Sequence, residues 1–463
     1  MAAHHHSRRG IFGSIRLALE RFPACPNHRK RGNQLKHIGI IGAGAAGLSA
    51  AFDLIKAGYQ VTLYEAEERV GGLAAGFKDE SWEWELEKFY HHWFESDHDL
   101  LGLAEEMGVR EKIFFPRPKT SYWIDGKIYR SEISLSALQL PLSPIGKFRL
   151  GLFGAYLKFS RNWQGFERST AHQWLLKRMG PEVYQKLWEP LLVGKFGKAY
   201  QEVNMAWFWA RVHSRTLRLG TYVGGFQAFL DELATQIVGK GGQLHLKTRV
   251  ESITRLENGK LEIATADGTR QQLDAVLSTS SPRLLRKLVP QISGTYAEQL
   301  DNLRSIGAVV VILALKHQLL EDGTYWLNLP TTFPFLALVE HTNYLEHEHY
   351  GGDHLVYCGD YVAPDHEYFQ LSEDDLTQRY IAALPTFNPK FSPDWIRRRW
   401  VFRAPYAQPL PTVNHSQNIP AIRTPVDGVY WASMSQVYPW DRGTNYAVEI
   451  GRRAAQHIME DLQ

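Results

Sequence analysis

At 463 residues the chain has material for two or more domains and a large core. With 44% hydrophobic and 22% charged residues it has the make-up of an ordinary globular protein, and a net charge of +3 excludes the strongly basic surface of a nucleic-acid binder. Two cysteines, Cys25 and Cys358, exclude a disulfide framework and fit a reducing, cytoplasmic compartment, while apolar runs such as 308–315 fall far below the roughly 20 residues of a membrane-spanning helix.

Residues 1–36 hold eight Lys or Arg against one acid, Glu20, and are expected to form a disordered basic extension. Ser7-Arg8-Arg9-Gly10-Ile11-Phe12 is faintly similar to a twin-arginine export signal, but Arg16, Glu20 and Arg21 interrupt the apolar core such a signal needs. Ile11, Phe12, Ile15 and Leu19 would share one face of a short amphipathic helix, as in transit peptides. His4-His5-His6 is too short for a metal site, and no metal is expected. Natural translation starting near Leu35 is a further reading, because the fold signal begins directly after it.

That signal is a strand at 37–41, then Gly42-Ala43-Gly44-Ala45-Ala46-Gly47, a helix to about Ala57, and a second strand, Val61-Thr62-Leu63-Tyr64, ending on Glu65. Gly42 permits the tight turn, Gly44 lets the backbone approach a pyrophosphate, and Gly47 lets helix and strand pack closely. The helix start, at Ala45 and Ala46, offers N–H groups and a positive dipole end to phosphates. Glu65, 18 residues after Gly47, can accept both hydroxyls of an adenosine ribose and would repel a 2′-phosphate, which disfavours NADP.

The continuation, Ala66-Glu67-Glu68-Arg69-Val70-Gly71-Gly72-Leu73-Ala74, decides which dinucleotide. It resembles the FAD signature of the amine oxidase, protoporphyrinogen oxidase and UDP-galactopyranose mutase superfamily, to which phytoene desaturases are related. The resemblance implies an α/β fold: a discontinuous, glutathione-reductase-like Rossmann domain for FAD with an inserted α+β substrate domain. It places Arg69, Gly71, Gly72 and Leu73 along the ribose and pyrophosphate, and the backbone of Val250 against adenine. Residues 244–250 alternate like a strand, and 261–264, Gly268 and 274–279 form a hairpin-like return to the core. Near the C-terminus, 428–434 is the last cofactor-contacting strand, followed by Gly443-Thr444-Asn445 and a helix whose start would face the flavin. Relatives carry Gly-Asp after that strand, and this chain has Ser433-Met434. Ser433, Ser435 or Asp441 is expected to replace the ribityl-binding aspartate. No flavin-attachment motif surrounds either cysteine or any histidine, so FAD is expected to be non-covalent.

The expected FAD domain is 37–80, 220–300 and 421–463, and the substrate domain 81–219 and 301–420. Catalytic candidates are His91 and His92 in Phe89-Tyr90-His91-His92-Trp93-Phe94, His341 in Val339-Glu340-His341-Thr342-Asn343, and Tyr446 after Tyr438-Pro439-Trp440-Asp441-Arg442. The 339–343 segment reads as a structural turn, slightly favoured, or as substrate contact; Arg442 reads as an anion binder or as the partner of Asp441. Residues 145–163 mix Lys147, Arg149, Lys158 and Arg161 with Phe148, Leu150, Leu152, Phe153, Tyr156, Leu157 and Phe159, as would a core helix with snorkelling cations, the favoured reading, or a peripheral membrane helix. The expected function is oxidation of a C–H bond of an apolar or cyclic small molecule, or of an amine, by hydride transfer to flavin N5; the electron acceptor is open. The alternatives are a non-redox mutase, with Arg397-Arg398-Arg399 as a source of diphosphate-binding arginines, and a flavin-bearing binding protein without turnover.

Overall fold

The computed structural model describes residues 35–130, 139–214 and 216–463. The basic extension, Cys25 and the export-signal segment lie outside the described residues.

The apolar strand His37–Ile41 sits centrally in a five-stranded parallel sheet, ordered Val429–Trp431, Ala275–Ser278, His37–Ile41, Gln60–Tyr64, Gln243–His245. Such continuous apolar strands need cover on both faces. One face is covered by the helices Ala45–Lys56, Phe226–Gly239 and Thr444–Leu462, whose Leu54, Leu230, Leu233, Val448 and Ala454 join Ile38 and Ile40 in one core. The first and last of these helices meet at backbone distance, since a Cβ on Gly451 would stand 2.2 Å from the Ala46 carbonyl oxygen. The other face is covered by the antiparallel sheet Val250–Arg255, Leu261–Thr265, Arg270–Leu273 and the helices Pro282–Leu288 and Gly294–Asn302.

A second, seven-stranded mixed sheet runs Ile396–Pro409, Ser305–Leu315, His354–Val362, Ala337–Glu340, Thr324–Asn328, Lys119–Ile124, Lys127–Arg130. The apolar run 308–315 lies in its second strand, where period-two alternation sends Val309, Val311 and Leu313 to one core and Val310, Ile312 and Ala314 to another. A helical layer built on Pro144–Phe159, Ala171–Met179 and Met205–Ser214 adjoins it. Every strand of the parallel sheet lies within 37–80, 220–300 or 421–463, and every strand of the seven-stranded sheet within 81–219 or 301–420. Lys36–Gln463 nonetheless packs as one unit.

Two expectations need correction. Residues 244–250 are not one strand: Lys247 takes a positive φ of 53°, and the Lys247 and Thr248 amides donate to the carbonyls of Glu67 and Glu65, so the chain turns over the end of the second strand before Val250 opens the antiparallel sheet. The helix Pro144–Phe159 is only half a core helix. Leu150, Phe153 and Leu157 pack inward, whereas Ile145, Phe148, Leu152, Tyr156 and Phe159 are exposed. Among the described residues no helix is long and apolar enough to cross a membrane.

Candidate cofactor and substrate site

The glycine loop is a site made of backbone. Gly42 has φ +98° and donates its N–H to the Tyr64 carbonyl at 2.8 Å; any Cβ there would meet Thr279 Oγ1 at 2.5 Å. A Cβ on Gly47 would stand 2.0 Å from the Gly42 carbonyl oxygen, so the close packing of helix on loop depends on glycine. The second glycine pair lies directly against the first loop: the Gly71 N–H donates to the Ala43 carbonyl at 2.9 Å, and a Cβ on Gly72 would reach the Gly44 Cα at 3.4 Å. Gly44 caps the helix without a side chain, leaving the amides of its first turn, at Ala45 and Ala46, for a ligand. Leu73 follows the pair in a short helical turn.

Glu65 is held where this loop begins. Its Oε2 accepts the Ala43 N–H at 2.8 Å and its Oε1 the Glu67 N–H at 3.0 Å, and each oxygen retains a lone pair for a hydroxyl. Arg69 ion-pairs with Glu85 at 2.9 Å and with Asp231 at 3.5 Å, which fixes the turn carrying Gly71 and Gly72. Val250 begins its strand, buried, opposite Thr265.

At the far end, Thr444 and Asn445 open the C-terminal helix after Gly443, again with no side-chain cap. Asn445 Oδ1 accepts the Leu100 N–H at 3.0 Å, which ties the start of this helix to the helix His98–Glu106. Thr444 Oγ1 is buried with no hydrogen-bond partner. A buried hydroxyl left in that state is costly unless a ligand completes it. This orphan, the two uncapped helix starts and the side-chain-free glycine pairs fit an extended phosphate-bearing cofactor.

The Ser433, Ser435 and Asp441 alternatives separate. Ser433 Oγ and Ser435 Oγ both meet the Tyr406 hydroxyl at 2.7 Å. Asp441 is not turned back to the strand: it binds Arg211 at 2.5 Å, Trp207 Nε1 at 3.1 Å and Gln408 Nε2 at 3.2 Å. Its carboxylate is therefore spent on Arg211, and the Arg442 guanidinium bonds neutral partners instead. Arg442 Nε donates to Gln408 Oε1 at 3.0 Å and Nη2 donates to the Tyr361 hydroxyl.

Arg442 lines a small cleft with Leu73, Phe89, Tyr90, His91, Val310 and Tyr361. The segment after the paired glycines, the inserted sheet and the loop before the last helix thus meet at one place. His91 Nδ1 lies 2.5 Å from the Phe89 carbonyl oxygen. A carbonyl only accepts, so Nδ1 carries the hydrogen and Nε2 of the neutral ring is an acceptor. Burial, reinforced by the Arg442 charge, holds the His91 pKa down at about 4, so the ring is neutral at ordinary pH.

The other catalytic candidates lie elsewhere. His92, next along an extended segment, faces the opposite way and meets the Tyr325 hydroxyl among Trp326 and Tyr344. His341 is buried on the Tyr350 hydroxyl at 2.8 Å, and burial drives its pKa to about 3. Its neighbours lock a turn: Glu340 accepts the Leu319 and Leu320 amides, and Asn343 Nδ2 donates to the Leu320 and Thr324 carbonyls. Tyr446 stacks on Trp440, outside the cavity lining. Sequence reasoning missed Tyr361, Ala407 and Gln408, which lie on strands of the inserted sheet and carry no motif.

These features define a flavoprotein with a dinucleotide cradle on a parallel sheet and a largely apolar cavity against the seven-stranded sheet. Residues 45–459 match the model of the flavin containing amine oxidoreductases. The chain belongs to that family and is an FAD-dependent oxidoreductase. It is 24% identical over 470 residues to a 15-cis-phytoene desaturase of Glycine max, covering 92% of this chain and 80% of the relative. Its fold is similar to cyclohexylamine oxidase from Brevibacterium oxydans IH-35A (TM-score 0.71, 17% identity, covering 93% of this chain and 100% of that one). It is equally similar to reduced UDP-galactopyranose mutase (TM-score 0.71, 16% identity, covering 92% and 96%).

Proposed function

We propose that the chain oxidises a C–H bond of a largely apolar or cyclic small molecule, or of an amine, in the cavity bounded by Leu73, His91 and Arg442. FAD, when bound, supplies the two-electron acceptor for the hydride. The observation that carries the reading is the meeting of these three residues, from three distant segments, on one apolar-walled space. Leu73, Phe89, Ala308, Val310 and Ala407 present little that water can bond and exclude it from the reacting carbon. Neutral His91, with Nε2 as acceptor, receives the proton that leaves the substrate alongside the hydride, from the N–H of an amine or from the neighbouring C–H of a hydrocarbon that is desaturated. Gly42, Gly44, Ala45, Ala46, Gly47, Glu65, Gly71 and Gly72 hold the phosphates and ribose, and Thr444 supplies a hydroxyl. The names of relatives agree with this class, one a 15-cis-phytoene desaturase and one a cyclohexylamine oxidase.

The mutase alternative draws no support from the arginine run. Arg397 binds Asp353 and Asp79, Arg398 lies near Asp79, and Arg399 binds Asp374.

The test is anaerobic mixing of the FAD-loaded protein with a linear polyene in detergent, a cyclic amine and a nucleotide sugar, following flavin absorbance. Bleaching by the polyene or the amine is expected. Conversion of the nucleotide sugar with no bleaching by the other two would overturn the proposal.

A further inference from the structure

The helix Pro144–Phe159 is apolar nearly all round, and only one of its faces is used inside the protein. Phe148 and Phe159 are 68% and 81% exposed, and Ile145, Leu152 and Tyr156 share their side at helical spacing. Of the eleven large hydrophobic residues exposed among the described residues, five lie on this one stripe. Single exposed apolar residues need no explanation, but a continuous stripe marks a contact surface.

The charge around the stripe selects its partner. Between 139 and 190 the sequence has eight Lys or Arg and three acids, Glu167, Glu182 and Glu189, in a chain whose overall excess is only +3. Glu167 is buried, with Ser416 and Tyr438. Arg149 and Arg161 are exposed beside the stripe, and Lys177 and Arg178 end the neighbouring helix Ala171–Met179. Apolar side chains flanked by cations suit a surface that is greasy beneath and anionic at its rim.

We propose that the outer face of Pro144–Phe159 docks onto an anionic lipid bilayer, with Phe148, Leu152 and Phe159 entering the headgroup–acyl boundary and the flanking cations resting on lipid phosphates. The helix is rigidly set for this. Ser143 caps its start by accepting the Gly146 N–H at 3.0 Å, and the Ser143 amide donates to Glu182 at 2.7 Å. Docking would also bring lipid close to the reaction site. Trp209, one helix away, donates to the Ser160 carbonyl at 2.8 Å and stacks on Trp440, two residues before Arg442. A largely apolar substrate could then enter from the bilayer. The docking itself does not rest on the redox reading, because it is measured with no substrate present.

The experiment is flotation of the full-length, FAD-loaded protein with vesicles of phosphatidylcholine alone and of phosphatidylcholine mixed with phosphatidylglycerol. Binding to the mixed vesicles is expected, roughly tenfold or more weaker to the neutral ones and in high salt. Phe148→Ser combined with Phe159→Ser should lower binding about tenfold or more while the melting temperature and flavin absorbance stay unchanged. Equal flotation of the variant, or no flotation of the wild type, would overturn the proposal. So would a concentration-dependent dimer that the double substitution disperses, since the face would then be covered by a second copy.

Discussion

Where the first strand of the parallel sheet ends, the contacts of the site are made by backbone atoms and by positions that lack side chains. The cavity beside it is walled by side chains from 73, 89–91, 308, 310, 361, 407 and 442. A backbone site of the first kind is written in consecutive residues, because each glycine has a local steric reason to be there. A side-chain site of the second kind depends on which way extended segments face after two sheets have packed. His91 and His92 show the difference most sharply: they are neighbours in sequence, yet one enters the cavity and the other the aromatic core.

The contrast is broken most forcefully at the glycine loop. Gly47→Val would drive side-chain carbons into the Gly42 carbonyl, which a Cβ alone would approach to 2.0 Å. We predict a loss of about 3 kcal/mol or more of stability together with bound FAD, read by melting and by flavin absorbance after gel filtration. Recovery of full occupancy would show that the loop can relax. On the side-chain half, His341→Ala should cost about 2–3 kcal/mol by opening a cavity and stranding the buried Tyr350 hydroxyl. Flavin bleaching per bound FAD should be unchanged, and slowed bleaching would place His341 in the chemistry after all.

Glu65→Ala should weaken FAD by about 2 kcal/mol, on the order of thirtyfold, by removing charge-assisted acceptors. Occupancy after dilution measures it, and wild-type occupancy would mean that the ribose is held elsewhere. The smallest effect is a pH dependence. Buried Glu87, which accepts the Phe226 N–H at 2.9 Å, has its pKa raised by burial from 4.5 to about 7. The fold therefore favours its protonated form. Its contribution is fully present below pH 4.5 and is lost as pH rises through 7. Glu87→Gln should flatten the wild-type decline across that window by about 1–2 kcal/mol, followed by melting at several pH values. A parallel profile for the two proteins would show that Glu87 remains ionised.

The parallel sheet, the glycine loop, Glu65 and the second glycine pair were legible because their signals are short-range: an apolar strand, a turn that only glycine permits, an acid at a strand end. The strand at 244–250 was misread because alternation alone continues it, whereas the Glu65 and Glu67 carbonyls capture the next amides and turn the chain. Val339-Glu340-His341-Thr342-Asn343 is dense in polar groups because it ties one turn to another, and the partner amides of Leu319 and Leu320 lie some twenty residues away. The outward face of Pro144–Phe159 could not be told from its inward face by composition, since both are apolar. Arg442 was visible as a cation near the last helix. That Asp441 would bind Arg211 instead depends on Met205–Ser214 packing beside that loop.

The central claim, that the cavity at His91 and Arg442 is where the substrate reacts, is tested most directly by His91→Gln. Gln can donate to the Phe89 carbonyl but does not take up a proton. The rate of flavin bleaching per bound FAD, measured anaerobically with the compound that bleaches the wild type fastest, should fall about a hundredfold at unchanged melting temperature and FAD content. Bleaching at the wild-type rate in a fully loaded His91→Gln protein would contradict the account.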